Sequence, residues 1–264
     1  MIRFSSIWVT AFSLAASASP GVTPARSATE VLLDRTGKRV EEFWDQFSAV
    51  SCSETIQQVK LGPSGKVLVQ RTSSFDYLVI LQLAGDELTV EESRLPQGQQ
   101  KKESTKPLLT TSGFATLVLI FHPLFQNSYQ YTLGAAEYSG NHKLQQVDFE
   151  HIPGRRSPSA LQLRGREYPL EWKGTAWIDP ATGYIDHISA ALKNSMDDVG
   201  LKQLTSEVQY TPVRFSTNSQ IAWLPEVAVI DASTQHQHWR NTHMFAGYKR
   251  FSVTTDAKTE GPKQ

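Results

Sequence analysis

Apolar residues follow two different periods along this chain, and the change between them marks its elements. From Thr29 onward they recur every three or four positions, the spacing of one face of an α-helix, at Val40, Phe43, Trp44, Phe47 and Val50. The pattern predicts an amphipathic helix. We interpret its aromatic stripe first as a surface that packs on a sheet, because most apolar helix faces belong to the core.

Between Ser51 and Leu95 the apolar period shortens to two, which is typical of β-strands. Turn-forming residues occur at 62–65 and 85–86, and the strand centres lie at residues 67–69, 77–83 and 88–90. Short connections predict an antiparallel meander. The polar residues 96–107 that follow predict an exposed loop.

A second helix is predicted over residues 114–121, where Phe114, Leu117, Val118 and Phe121 share one face. Ser112 is placed to cap its start, and His122-Pro123 is expected to end it. Ala115, Leu119 and Ile120 extend the apolar surface around most of the helix. We therefore expect it to be enclosed by the sheet or to cover an apolar cavity, with a buried strand as the alternative.

The clearest hairpin of the chain spans residues 174–192. Asp179 and Pro180 start a turn, and Gly183 is free to take the positive φ that brings the chain back. Aromatic and β-branched residues on both sides favour strands. Their apolar residues fall on both faces, which predicts a sheet that is covered on one face and partly packed on the other.

The remaining segments also favour strands, at residues 129–133, 144–149, 161–163, 168–172, 204–213 and 221–230, with a last strand pair over 237–254. Pro225 within one of them predicts an edge position or a bulge, because proline donates no ladder hydrogen bond. The element order predicts an α+β fold with an antiparallel sheet.

The first residues have the layout of a secretory signal peptide: Arg3, an apolar run at 7–18, and Ala16-Ser17-Ala18 before the cleavage point. We expect export to the periplasm or the outside of the cell and a mature N-terminus at Ser19. Residues 19–28 are expected to be a disordered lead, 29–255 one domain, and 256–264 a polar tail.

Charge and candidate chemistry restrict the function. Lys and Arg together number 26, as do Asp and Glu, so the excess of positive charge that nucleic-acid binding requires is absent. His236, His238 and His243 are close in sequence, and the first two are expected to share a strand face, but no third metal ligand is specified. We expect no metal and no cofactor.

Catalytic patterns are equally incomplete. Cys52, the one cysteine, lies beside no catalytic signature and is interpreted as a half-buried structural thiol. The carboxylate pairs are interpreted as solvated charges, because neighbouring side chains of an element point apart: Glu41-Glu42, Glu91-Glu92 and Asp197-Asp198. We predict no catalytic residues and no enzyme.

The chain contains, in order, a helix, a three-strand meander, an apolar helix and a series of hairpins. Residues 174–185 read Gly-Thr-Ala-Trp-Ile-Asp-Pro-Ala-Thr-Gly-Tyr-Ile. This arrangement resembles the periplasmic lipoprotein carriers of the LolA/LolB type. The resemblance covers roughly residues 29–253. It implies an incomplete antiparallel β-barrel, a strongly curved sheet around a few helices, which holds acyl chains in an apolar cavity.

Two functions follow as alternatives. The first is a monomeric envelope protein that binds a lipid or a lipidated protein, with peripheral membrane contact and no nucleic acid, through Phe43, Phe47, Phe114, Leu117, Val118, Phe121, Trp177 and Trp223. The second is a protein-interaction or regulatory module without a lipid ligand. A void of roughly a few hundred Å³ favours the carrier, whereas full packing of the apolar helix against Trp177 and Trp223 favours the module.

Overall fold

The computed structural model describes residues 26–84, 87–98, 109–139, 142–163, 165–215 and 221–250. The predicted signal peptide, the polar tail, and most of both the disordered lead and the 96–107 loop lie outside the described residues. Ser27 and Ala28 are described, and they belong to a helix rather than to the lead.

Twelve strands are formed by the described residues: β1 (Val50–Leu61), β2 (Val67–Ala84), β3 (Glu87–Pro96), β4 (Tyr129–Ser139), β5 (His142–His151), β6 (Ala160–Leu163), β7 (Arg166–Pro169), β8 (Trp172–Ile178), β9 (Ile185–Leu192), β10 (Leu201–Arg214), β11 (Ile221–Thr234) and β12 (His238–Arg250). Ten of them form one antiparallel sheet in the order β3-β2-β1-β12-β11-β10-β9-β8-β5-β4. The sheet is open, since β3 and β4 end it without closing a barrel. This confirms the predicted fold class.

The hairpin β8-β9 is confirmed, and so is the antiparallel pairing of the meander β1-β2-β3. Its strand division needs correction: the predicted centres 67–69 and 77–83 belong to the single strand β2, and β1 was not among the predicted centres. In the hairpin turn, Asp179 Oδ1 accepts hydrogen bonds from the backbone N–H groups of Ala181 at 2.7 Å and Thr182 at 3.3 Å. Gly183 takes φ +82°. A side-chain acceptor and a glycine at positive φ are the two features by which the sequence specifies this turn.

Two strand predictions need correction. Pro225 lies in an interior strand, not at an edge, and the β10-β11 register shifts beside it, so the bulge is the correct alternative. The expected strand pair over 237–254 is, within the described residues, the single strand β12, which lies between β1 and β11. The last strand therefore joins the N-terminal meander to the rest of the sheet.

The first helix, α1 (Ala28–Phe47), begins at a capping box in which the Ser27 side chain accepts from Glu30 N and the Glu30 carboxylate accepts from Ser27 N. This reciprocal pairing satisfies backbone donors that the first turn would leave free. The helix buries Val40, Phe43 and Phe47. Val50 is also buried but belongs to β1. The predicted apolar stripe therefore extends beyond the end of the helix.

Residues 114–121 form a 3₁₀ helix with a kink at Thr116, not the predicted α-helix. We call Phe114–Phe121 the central helix. Gly113, not Ser112, occupies the N-cap position. The helix ends at His122 as predicted, and His122 also caps the start of a further short helix, α2 (Pro123–Gln126). Three alternate residues, Thr116, Val118 and Ile120, are β-branched, which lowers α-helix propensity.

The face of the sheet that α1 and the central helix cover is the inner face. Ala176, Ile188, Val208 and Ala228 lie on it side by side and are almost fully buried. Among the described helices, none is both long and apolar enough to cross a membrane.

Candidate apolar binding site

The central helix is enclosed by the fold. Leu119, Ile120 and Phe121 are 0% exposed and Leu117 is 2% exposed. Two tyrosines tie its backbone to the sheet: Tyr131 donates to Ile120 O at 2.6 Å, and Tyr210 donates to Ala115 O at 3.2 Å. Burial raises the pKa of both phenols well above the usual range, so both hydroxyls stay protonated and able to donate.

Helix α1 lies beside the central helix, and its aromatic residues contact the inner face. Phe43 stacks on Phe47 at 5.1 Å between ring centroids and meets Tyr210 edge-on at 6.0 Å. Phe47 lies 6.4 Å from the Tyr77 ring. The aromatic stripe of α1 is therefore core packing, as its ordinary interpretation predicts.

A gap remains where α1, the central helix and strands β9 to β11 meet, and we call it the seam. Its volume is about 20 Å³, which is close to the space that one water molecule needs. Apolar and aromatic side chains line most of it: Val40, Phe43, Val118, Tyr184, Ile185, Tyr210 and Trp223. Arg39 of α1 and Gly183 of the hairpin turn complete the lining. The seam is much smaller than the void that the carrier alternative predicts.

The hairpin turn fastens α1 across the seam, and we call these contacts the latch. Arg35 donates to Pro180 O, and Arg39 Nε donates to Thr182 O at 3.0 Å. The Arg39 guanidinium also lies 4.6 Å from the centre of the Tyr184 ring. At Gly183 an added Cβ would come within 2.8 Å of the Arg35 side chain, so glycine allows the turn to approach the helix closely.

The structure brings three of the eight predicted site residues, Phe43, Val118 and Trp223, to the seam. Trp223 lines the seam, stacks on Tyr184 at 5.1 Å and donates to Ile185 O at 2.6 Å. Phe114 contacts Trp172 at 6.4 Å. Trp177 does not join this cluster: it alternates with buried Ala176, faces away from the central helix and stacks on His187 at 4.1 Å.

A buried ion network near the other end of the sheet was missed by the sequence interpretation. The Arg94 guanidinium contacts Glu54 Oε2 at 2.6 Å and Glu92 Oε2 at 2.7 Å, and the Glu54 side chain is 0% exposed. Burial alone would raise the pKa of Glu54, but hydrogen bonds from His243 and Arg94 outweigh it and the net pKa is lowered. Glu92, which also accepts from Tyr77, is therefore not the solvated charge that its pairing with Glu91 predicts.

His243 extends this network to the segment that precedes the central helix. Its Nδ1 lies 2.7 Å from Glu54 Oε1 and its Nε2 lies 2.7 Å from Thr111 Oγ1. A hydroxyl, an imidazole and a carboxylate in this order resemble a hydrolytic triad. Thr111, however, is 8% exposed and already accepts from Asn241 at 2.9 Å, so the contacts fasten this segment to the sheet.

The three C-terminal histidines therefore do not converge. His236 precedes β12, so it does not share a strand face with His238, which contacts Asp231. A signal for buried His243 was present, because Asn241, His243 and Phe245 alternate along β12. Within the described ranges, no group of three or more His, Cys, Asp or Glu side chains is placed to hold a metal ion.

Cys52 is buried on β1, more deeply than the predicted half-buried thiol, with 6% exposure. Burial raises its pKa from 9.0 to about 12, which reduces the thiolate fraction near pH 8 by about three powers of ten. We expect the native protein to react with Ellman's reagent at least about a thousandfold more slowly than the denatured protein. Equal rates in the two states would show that the thiol is accessible.

Comparison with known proteins finds no match to a family model and no match to a curated protein. Solved structures do match. A LolA superfamily protein from Nitrosomonas europaea shares 10% identity over 87% of this chain and 96% of its own, with a TM-score of 0.39. An outer membrane lipoprotein-sorting protein domain, so named, from Vibrio parahaemolyticus shares 10% identity over 87% and 96%, with a TM-score of 0.48.

A third solved structure, a DUF1329 family protein from Desulfovibrio piger, shares 14% identity over 89% of this chain and 98% of its own, with a TM-score of 0.45. All three TM-scores are below 0.5 and all three identities are at or below 14%. The function is therefore inferred from the geometry of the described residues.

Proposed function

We propose that this protein is a non-enzymatic protein of the cell envelope that binds an apolar ligand, a lipid or the acyl chain of a lipoprotein, between α1 and the inner face. The seam is the observation that carries the proposal, because aromatic and aliphatic side chains of two layers meet there around a gap. Of the predicted ligand-binding residues, Phe43, Val118 and Trp223 line it directly.

Binding requires α1 to move away from the sheet, because the seam is too small for an alkyl chain as it stands. The latch consists of side-chain hydrogen bonds to two backbone carbonyls of the hairpin turn, each of which contributes about 0.5–1.5 kcal/mol. The strands, by contrast, are held by continuous ladders. Opening at the seam therefore disturbs fewer interactions than opening within the sheet.

The energetics allow such a closed protein to bind a long chain. Each CH₂ group taken out of water contributes about 0.8 kcal/mol. The cost of opening weakens the apparent affinity about tenfold for every 1.4 kcal/mol, because only the open fraction binds. Burial of a chain of about a dozen methylene groups can therefore offset several tenfold losses of apparent affinity.

The expected location agrees with this role. We propose that residues 1–18 direct export, so that the mature protein meets lipids and lipidated proteins in the envelope as a monomer. Equal numbers of acidic and basic residues favour these partners over nucleic acids.

Removing the latch is expected to strengthen binding. In the double variant Arg35→Ala, Arg39→Ala, α1 loses both carbonyl contacts and the contact with Tyr184. A larger open fraction should lower the apparent dissociation constant for a fluorescent long-chain fatty acid by about tenfold. Fluorescence titration of the mature protein measures this change.

Lys38→Ala is the matched control, since Lys38 lies on the exposed side of α1 and pairs only with Asp34 in the same helix. It should leave the titration unchanged. If neither the wild-type protein nor the double variant gives a saturable signal while both remain folded by circular dichroism, the apolar-ligand proposal is wrong.

The filled interior supports a second candidate, a protein-interaction module with the same fold. The seam has a volume of only about 20 Å³, and residues 115–121 of the central helix are buried. Consecutive apolar residues Val67, Leu68 and Val69 of β2 are 40–57% exposed, which is a feature of contact surfaces. Absence of fatty-acid binding in the titration above would favour this candidate.

A further inference from the structure

A second, larger cavity lies far from the seam, and we call it the polar cavity. Its volume is about 350 Å³, within the range of small-molecule sites. Residues from three connections and from the strand ends beside them line it, among them His151, Arg155, Glu171, Leu192, Asn194 and Met196. Leu192 and the seam residue Ile185 are at opposite ends of β9, roughly 23 Å apart along an extended strand.

His151 is the unusual member of this lining. It is 1% exposed, and its ring lies edge-on against Tyr129 at 5.0 Å. Nε2 lies 3.2 Å from the backbone carbonyl of Arg156. A carbonyl only accepts, so Nε2 carries a proton, and the tautomer with that one proton has its free lone pair on Nδ1.

Among the described residues, that lone pair has no partner. His151 Nδ1 makes no hydrogen bond although it is buried, and Glu171 Oε1, on a side chain that is 34% exposed, lies 4.0 Å from it. Two acceptors thus face each other across a space that neither can fill. A buried acceptor such as Nδ1 is normally satisfied, whereas the Glu171 carboxylate is open to solvent, so Nδ1 is the atom that lacks a donor.

An ammonium group matches this pair of acceptors. It offers three N–H donors at tetrahedral angles, and a nitrogen about 2.8 Å from each acceptor is compatible with their 4.0 Å separation. The nearby Lys193 does not supply the donor: its Nζ contacts Glu150 Oε1 at 2.6 Å and His151 O at 3.3 Å, and it makes no hydrogen bond to His151 Nδ1.

The rest of the lining specifies the remainder of the ligand. Leu192 and Met196 provide apolar surface, and the exposed Arg155 adds a positive charge at the rim. A cation alone would be repelled by Arg155, whereas an acid group on the same molecule would be attracted.

We propose that the polar cavity binds a small zwitterion, whose ammonium group donates to His151 Nδ1 and to the Glu171 carboxylate while its acid group faces Arg155. The short apolar part between the two charges lies against Leu192 and Met196. The site is independent of apolar-ligand binding at the seam and stands whether or not that proposal holds.

The test uses 4-aminobutanoate as the probe, with NMR of the mature protein in which histidine is labelled with ¹⁵N. We expect saturable binding that shifts the His151 Nδ1 resonance, because that nitrogen gains a donor. Glu171→Gln keeps the shape but removes the charge, and it should weaken binding about tenfold or more. Glu167→Gln, an exposed carboxylate of β7 outside the cavity, is the matched control and should change nothing.

Three related compounds separate the parts of the proposal. Butylamine should bind more weakly than 4-aminobutanoate, and butanoate and trimethylbutylammonium should not shift His151, since neither offers an N–H donor. The proposal is overturned if 4-aminobutanoate leaves the Nδ1 resonance unmoved, as it would with water alone in the site. Equal binding of trimethylbutylammonium, or unchanged binding to the folded Glu171→Gln variant, would also overturn it.

Discussion

Replacing Arg94 with methionine is expected to lower the free energy of unfolding by about 3–5 kcal/mol, the cost of leaving a buried charge without its partner. Arg94 lies between Glu54 and Glu92, whose side chains are 0% and 5% exposed. Its own pKa is raised: burial opposes the charge, but the bond to Glu54 and the nearby carboxylates more than compensate. Urea denaturation followed by circular dichroism measures the change.

Arg240→Met provides the comparison on the same sheet. Arg240 pairs with Asp231 at 2.6 Å, but its side chain is 52% exposed, and exposed ion pairs contribute about 0–1 kcal/mol. A similar loss in the two variants would mean that the Glu54, Glu92 and Arg94 network is no more important than a surface pair. A large loss only at Arg94 would identify the network as a main support of the meander.

The second large effect is expected at the central helix. Phe121→Ala should destabilise the protein by about 3–5 kcal/mol, since it removes a buried ring and leaves a cavity. The ring is 0% exposed and contacts Tyr131 at 5.2 Å and Phe149 at 5.8 Å. The same denaturation experiment measures this loss.

Phe114→Ala, at the first position of the same helix, is the matched control. Phe114 is only partly buried and meets Trp172 edge-on at 6.4 Å, so its truncation should cost clearly less. If Phe121→Ala were as mild as Phe114→Ala, the end of the central helix would be loosely held. It would then be a better candidate than the seam for the first part of the fold to open.

The close packing of the central helix makes its residues poor positions for a mutation that tests ligand binding. Leu117 is 2% exposed, so a glutamate there would bury a charge without a partner and would unfold the protein rather than report on binding. The latch residues Arg35 and Arg39 are better positions, because they fasten α1 to the hairpin turn and neither side chain is buried in the core.

Local patterns in the sequence were sufficient for the elements and for much of the topology. The period of α1 was enough to predict the helix from Thr29 onward. The capping box of Ser27 and Glu30 is also a local pattern, but it was missed, and Ser27 was assigned to the disordered lead. Asp179 and Gly183 define the hairpin turn. Short connections made the meander antiparallel, because such strands pair with their neighbours.

The geometry of the central helix was decided by its surroundings. Its residues are apolar on all sides, so their period gives no preferred face, and they fit a helix or a buried strand. In the fold, Tyr131 and Tyr210 bind its carbonyls, and Gly113 turns the chain into a 3₁₀ start. Tertiary contacts outweigh weak local preference here.

Which tryptophan faces inward was also beyond the sequence. Both faces of β8 carry apolar residues. Alternation places Trp177 on one face and Ala176 and Ile178 on the other, but it does not say which face is buried. The inner face is fixed by where α1 and the central helix lie, and they cover Ala176. Trp223 meets the seam because β11 passes under α1.

By itself the sequence determined the helix, the strands, their antiparallel pairing and the absence of a familiar catalytic motif, since these depend on residues close in the chain. Only the tertiary structure decided the seam, the ion network around Arg94 and the polar cavity around His151. Each of them joins side chains that are tens to hundreds of positions apart. The physical reason is that burial and mutual distance determine what a polar or apolar side chain does, and both follow from packing rather than from local pattern.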